Sequence, residues 1–307
     1  MKSSQQIASW ALGVGLVAVT IVFSIPTHYG KAYWPITTLE LAILFVAAWF
    51  AGGKEIFAAD DKRRRLALAG FLLIAPFALF SLLPGLGPPD SLGSTALEQK
   101  RFAVLLVNAL TLCGGCFILR DLLAEEGERL FSGLAVAAAS MAAPLYVVFT
   151  AIQLADYREL DRKGLSVEQQ SFTMVDDASI VLLFFGSVLN YLATMAFAES
   201  LFRLHIVGRR ARVAYVLIAA TLLYFLIFRG LDYGGLPKAL QHWYTTVAFF
   251  AGVPAISWVL LSALGVVALS NAGRARAPQA QFDLLHRKVV DQAVPGRNNV
   301  GMPKVSS

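Results

Sequence analysis

The chain has 307 residues, of which 57% are hydrophobic and only 15% are charged. A soluble globular domain is about half apolar and about a quarter charged, so this composition argues against an ordinary soluble protein and favours an integral membrane protein. The net charge of +6 is spread over several loops without a basic face rich in aromatic residues, which argues against nucleic-acid binding.

Eight apolar segments follow one another along the chain. Each is close to the roughly 20 residues that an α-helix needs to cross a hydrocarbon core of about 30 Å. In chain order they are 7–26, 36–53, 66–84, 102–119, 131–154, 179–201, 213–229 and 246–270. The sequence therefore predicts an all-α bundle of eight transmembrane helices over residues 1–270. It also predicts a polar, largely disordered tail over residues 271–307.

The basic residues predict an orientation. Of the 26 Lys and Arg residues, 18 fall on the side that holds the N-terminus and the tail, whereas the acidic residues divide evenly. Lys and Arg set topology and acids contribute little, so both termini are expected in the cytoplasm of a cell whose inner (plasma) membrane holds the protein. Anionic lipid is the expected partner of the cytoplasmic basic clusters, and other membrane proteins are further candidate partners.

Glu40 is the most informative ionisable residue within a predicted span. It lies about four residues inside the second segment, which places it about 6 Å below the exterior boundary. An ionisable group in the membrane is costly and by default indicates function. The alternatives are that Glu40 extends to the exterior interface or pairs with Lys31 or Arg229.

Asp176 and Asp177 come just before the sixth segment. Acidic residues at a helix N-terminus are stabilised by the helix dipole, which gives them a structural interpretation. The alternative is an entry site for a cation or proton, shared with Glu40 and His242.

A polar stripe is predicted on the sixth segment and a shorter one on the fourth. Spacings of three and four residues place the members of each stripe on one helix face. They are Ser187, Asn190, Tyr191 and Thr194 on the sixth segment, with Asn108 and Thr111 on the fourth. Such residues usually join helices by hydrogen bonds, and the alternative is that they line a path for a ligand.

Cys113 and Cys116 flank two glycines within the fourth segment. A redox Cys pair needs a helix N-terminus to activate its thiol, and two thiolates do not complete a zinc site. The sequence instead predicts close helix packing through Gly114 and Gly115. No metal and no cofactor is expected.

Three classes of function remain open. The favoured class is a transporter-like protein that moves a small molecule or ion along a path lined by helices 2, 4 and 6. The next is a non-catalytic subunit or scaffold of a larger membrane complex. The third is a membrane enzyme acting on a lipid or envelope substrate, with an exterior site at His28, Glu40, Asp232 and His242.

Overall fold

A computed structural model describes residues 2–24, 33–80, 94–165, 174–230 and 254–274. These residues contain eight α-helices and no β-strand. The helices are α1 Lys2–Ser24, α2 Tyr33–Ala51, α3 Asp61–Phe80, α4 Thr95–Glu125, α5 Leu130–Lys163, α6 Met174–Arg203, α7 Arg209–Gly230 and α8 Pro254–Arg274. A 3-10 turn, Gly53–Phe57, joins α2 to α3.

Five helices in the described part of the chain are long and apolar enough to cross a membrane. They are α4, α5, Val181–Arg203 of α6, Arg209–Ile227 of α7 and Ile256–Gly273 of α8. Two shorter apolar stretches, Ser4–Val19 and Thr38–Ala51, belong to α1 and α2. These helices indicate membrane insertion. The eight spans and the cytoplasmic placement of both termini stay predictions, as does the domain boundary at residue 270.

Helices α3 to α7 pack against their neighbours in chain order, and α1 packs mainly on α2. Helix α8 returns to the interior of the bundle, where 67% of its most apolar window is buried, against only 11% for α7. The crossing of α8 with α3 is close. A Cβ atom on Gly265 would lie 2.9 Å from the carbonyl oxygen of Gly70, so small residues are needed where the two backbones meet.

Helices α4 and α5 extend well beyond the apolar segments that define them in the sequence. Helix α4 begins at Thr95, seven residues before the predicted segment, and α5 continues to Lys163. A hydropathy profile ends an apolar segment at the first charged residues. The helix itself can continue, because polar side chains beyond that point find partners on neighbouring helices. This added length brings charged residues of the predicted exterior loops onto the bundle.

Candidate functional site

Tyr146 lies at the centre of the described bundle and joins three helices. Its hydroxyl on α5 lies 3.1 Å from Ser187 Oγ of α6 and 3.3 Å from Ser257 Oγ of α8, and it accepts a hydrogen bond of 3.1 Å from Asn190 Nδ2 of α6. All four side chains are buried. We call these residues the Tyr146 cluster. A buried hydroxyl without partners would cost free energy, so the cluster compensates the burial of every polar group in it.

The ring of Tyr146 is held in place by its neighbours. Trp258 of α8 packs edge-on against it, with ring centroids 5.2 Å apart. On the other side, Gly186 of α6 leaves room for the ring, because a Cβ atom there would lie 3.0 Å from Tyr146 Cζ. The glycine and the tryptophan therefore fix the position at which the hydroxyl meets its partners.

A small cavity adjoins the Tyr146 cluster. It is lined on α4 by Ala109, Leu112 and Cys113, on α5 by Ala139, Ala143 and Tyr146, on α6 by Asn190 and on α8 by Trp258. The space holds about one water molecule. The wall combines a phenol, an amide and a thiol with apolar side chains.

Polar residues continue along α5 toward its C-terminal half. Thr150 is buried and bonds to the backbone oxygen of Tyr146, and Gln153 Nε2 donates to Ser179 Oγ of α6 over 3.0 Å. Positions 146, 150, 153 and 157 share one face of the helix. The interface of α5 with α6 is thus polar over about 10 Å, from the Tyr146 cluster to Gln153.

A buried ion pair lies near the N-terminus of α4. Glu98 Oε2 and Arg101 Nη1 are 3.2 Å apart, and their side chains are 0% and 4% exposed. Phe102 packs between Phe149 and Tyr157, with ring centroids 5.8 and 5.6 Å away. A charge pair so fully removed from solvent carries a desolvation cost that a surface pair does not.

Sequence reasoning missed both Tyr146 and Glu98. Tyr146 stands within an apolar segment rich in alanine, and no periodicity singled it out. Glu98 and Arg101 fell in a predicted exterior loop, where charges are ordinary. Their spacing of three residues, which suits a helical ion pair, was the one available signal.

The predicted stripes on α4 and α6 face the interior. Asn190 and Thr194 are buried, and Thr194 Oγ1 donates to the backbone oxygen of Asn190 over 2.9 Å. Asn108 is also buried and donates from Nδ2 to the carbonyl oxygen of Pro76 on α3 over 3.2 Å. Asn108 therefore joins α4 to α3, whereas Asn190 belongs to the Tyr146 cluster.

The other predicted site residues are not brought to this centre in the part of the chain that is described. Glu40 is half-buried on α2, whose main packing partner is α1. Asp176 and Asp177 lie in the first turn of α6, but their side chains are outside the description. His242 lies outside the described residues, as do His28 and Asp232 of the predicted enzyme site. Their roles stay predictions.

The two cysteines of α4 differ in their surroundings. Cys113 lines the cavity and is partly exposed, whereas Cys116 is buried, and both are free thiols. Gly115 between them packs closely on α3, because a Cβ atom there would lie 3.0 Å from Leu73. Within the described ranges, no three His, Cys, Asp or Glu side chains lie together as a metal site would require.

Comparisons of this chain with protein families, curated proteins and solved structures find no match.

Proposed function

We propose that the protein is a multi-pass transporter of the inner membrane that binds a small polar molecule or ion at the Tyr146 cluster. The observation that carries the proposal is a hydrogen-bonded phenol and amide that open on a cavity in the bundle interior. Polar groups within a membrane are costly, and beside a cavity they can line a ligand site as well as join helices. Both termini would lie in the cytoplasm, as the distribution of basic residues favours.

The side chains of the Tyr146 cluster could exchange their internal hydrogen bonds for hydrogen bonds to a ligand. The Tyr146 hydroxyl, the Asn190 amide and the two serine hydroxyls can each donate or accept hydrogen bonds. A ligand with several hydroxyl, amide or carbonyl groups would replace these internal hydrogen bonds at little net cost. The polar side chains on this wall are uncharged, so a neutral polar solute fits it better than a bare ion.

The cavity holds only about one water molecule, so transport of a larger solute would require the helices to separate. Pro144 lies inside α5, two residues before Tyr146. A proline removes one helical hydrogen bond and introduces a kink, and in membrane helices neighbouring elements compensate the freed carbonyl. Movement of α5 at Pro144 would open the cavity from one side of the membrane.

Cys113 provides a test that does not need the substrate. We would compare Cys116→Ala, which leaves Cys113 on the cavity wall, with Cys113→Ala, which leaves the buried Cys116. A small hydrophilic thiol reagent is applied to intact membranes, and labelling is followed by mass spectrometry. We expect the variant that retains Cys113 to be labelled at least tenfold faster, because only that thiol lines the cavity, and water must reach a thiol before it reacts as a thiolate.

A Tyr146→Phe exchange in the Cys116→Ala background sharpens the result. It removes the hydroxyl that holds three partners and should change the rate at Cys113 while the rate at Cys116 in the matched background stays the same. If both cysteines remain unlabelled in membranes but react once the protein is denatured, the cavity does not open to water and the transporter proposal is wrong.

A second candidate is a non-catalytic subunit of a larger membrane complex. The close packing favours it, since the cavity at the centre holds only about one water molecule. Native mass spectrometry of the gently purified protein separates the two candidates. Stoichiometric partner chains would support a subunit, whereas a lone chain that retains a small polar molecule would support a transporter.

A further inference from the structure

Five arginines lie at the same end of three consecutive packed helices, at the start of α5, the end of α6 and the start of α7. We call them the arginine patch. They are Arg129, Arg203, Arg209, Arg210 and Arg212. The distribution of basic residues along the chain predicts that this end faces the cytoplasm.

Contacts join the three helix ends of the patch into one surface. Glu199 of α6 bonds to Arg203 Nε over 3.1 Å and to Arg212 Nε of α7 over 2.7 Å. The guanidinium carbon of Arg203 lies 4.3 Å from the centre of the Phe131 ring at the start of α5. The relative positions of these side chains are therefore fixed by packing and do not depend on flexible loops.

The arginine patch carries excess positive charge. Its carboxylates are Glu199 and the buried Glu128, so five cations face two anions. Burial would raise the pKa of Glu128, but hydrogen bonds from Ser200 Oγ and from the backbone amides of Phe131 and Ser132 outweigh it and hold that pKa below its usual range. Arg129, Arg209 and Arg210 are exposed and form no ion pair with any carboxylate in the described ranges.

The neighbouring end of α3 and α4 has as many cations but no such excess. Its five basic side chains each have a carboxylate partner among five acidic ones. The pairs are Lys62–Glu126, Arg63–Asp60, Arg64–Asp61, Arg65–Asp61, Arg65–Glu125 and Arg120–Asp121. We call these residues the α3–α4 ion-pair cluster. Its charges cancel, so it attracts a distant anion far less than the arginine patch does.

An exposed apolar stripe leads away from the patch along α7. Arg210, Val213, Leu217 and Tyr224 lie on one face of the helix by their spacing. Val213 is 42% exposed, Leu217 59% and Tyr224 52%. All three belong to a candidate membrane span, so these exposed side chains would face lipid. The stripe covers about 20 Å below the arginines, which is comparable to the length of a lipid acyl chain.

We propose that the arginine patch binds the phosphate-bearing headgroup of an anionic lipid whose acyl chains lie along this stripe of α7. Arg209 and Arg210 on α7 supply the charge that is not neutralised, and Arg129 adds a further exposed cation at the start of α5. An anionic phospholipid combines the two chemistries that the surface offers, a negative group at the interface and hydrocarbon beneath it. The α3–α4 ion-pair cluster contributes little to lipid binding. The sequence alone does not distinguish the two clusters, because each contains five basic residues.

The test uses the full-length protein and a matched pair of charge removals. Wild type, Arg209→Gln/Arg210→Gln and Arg63→Gln/Arg64→Gln are titrated in detergent with phosphatidylglycerol or phosphatidylcholine, and bound lipid is counted by native mass spectrometry. Each basic residue near an anionic surface contributes about fivefold to binding. We therefore expect about 25-fold weaker phosphatidylglycerol binding in the α7 variant and less than twofold change in the α3 variant.

Three results would overturn the proposal: equal losses in the two variants, no loss in either, or equal binding of phosphatidylcholine and phosphatidylglycerol by wild type. Competition with inorganic phosphate separates a lipid from a free anion. Displacement of phosphatidylglycerol by millimolar phosphate would show a site for phosphate alone and would also contradict the proposal. If the double α7 variant does not fold, the exposed Arg210→Gln alone should still weaken binding about fivefold.

Discussion

Helix α4 carries an ion pair near each end. Each pair joins a glutamate to an arginine, but the two pairs differ in burial and in the geometry of their contacts. Near its N-terminus, Glu98 and Arg101 are 0% and 4% exposed, and Glu98 Oε2 lies 3.2 Å from Arg101 Nη1. At its C-terminus, Glu125 receives two hydrogen bonds of 2.7 Å from Arg65 of α3, and both side chains are largely accessible at 53% and 32%.

The better geometry therefore belongs to the pair whose disruption should cost less stability. An exposed pair gains about 0–1 kcal/mol, because solvent screens it and ordering two long side chains costs entropy. A buried pair cannot lose one member without leaving an unpaired charge in a medium that solvates it poorly. Burial, and not hydrogen-bond length, should decide which end of α4 tolerates substitution.

Loss of Arg101 is the largest effect that this comparison predicts. Arg101→Gln leaves Glu98 buried opposite a neutral amide, so we expect the free energy of unfolding to fall by about 3–5 kcal/mol. Unfolding by SDS in mixed micelles measures this change. A drop no larger than that of Arg65→Gln would show that the Glu98 environment is wetter than its burial implies.

The double exchange Glu98→Gln/Arg101→Gln tests the cause. Two amides at the same positions can hydrogen-bond to each other and leave no charge behind, so the double variant should lose less stability than Arg101→Gln alone. If the double variant loses the sum of the two single effects, the two residues act independently and the pair is not a unit.

The difference between the two ends of α4 also shows which features can be predicted from the sequence. The apolar segments located the helices, since the need for about 20 apolar residues is a property of the membrane itself. The first turns of α4 were missed because Glu98 and Arg101 are polar in sequence and buried in structure. Phe102, the neighbour of Arg101, packs on Phe149 and Tyr157 of α5, and no local pattern around residue 98 reveals that contact.

The candidate site follows the same rule. The spacing of Ser187 and Asn190 correctly placed them on one buried face of α6. Their partner could not be predicted, because Tyr146 lies 41 and 44 residues away in the sequence and Ser257 lies 111 residues from that tyrosine. Helix periodicity gives the face that a residue occupies, whereas the identity of its neighbour depends on how distant helices pack.

Two adjacent glycines in the middle of α4 lie on different faces of the helix and differ in how closely α3 packs on them. A Cβ atom at Gly115 would lie 3.0 Å from Leu73 of α3, whereas one at Gly114 would lie 3.9 Å from Leu72. Gly115→Val should therefore overpack the interface and cost about 1–3 kcal/mol. Gly114→Ala should be neutral or stabilise by up to about 1 kcal/mol, because alanine favours the helix.

The same SDS unfolding assay reports both glycine variants. Equal effects at the two positions would mean that α3 and α4 are not in close contact at Gly115. An effect at Gly114 alone would place the wrong face of α4 against α3.

Arg65→Gln is expected to give only a small loss, below about 1 kcal/mol, although it removes a bidentate contact between α3 and α4. Its effect should also shrink as salt is raised from about 0.05 M to about 0.5 M, because screening weakens an exposed pair much more than a buried one. The salt dependence of unfolding, measured beside Arg101→Gln, gives the comparison. A loss at Arg65 that is large and insensitive to salt would show that the end of α3 and α4 is shielded from solvent, and the two ends of α4 would then be alike.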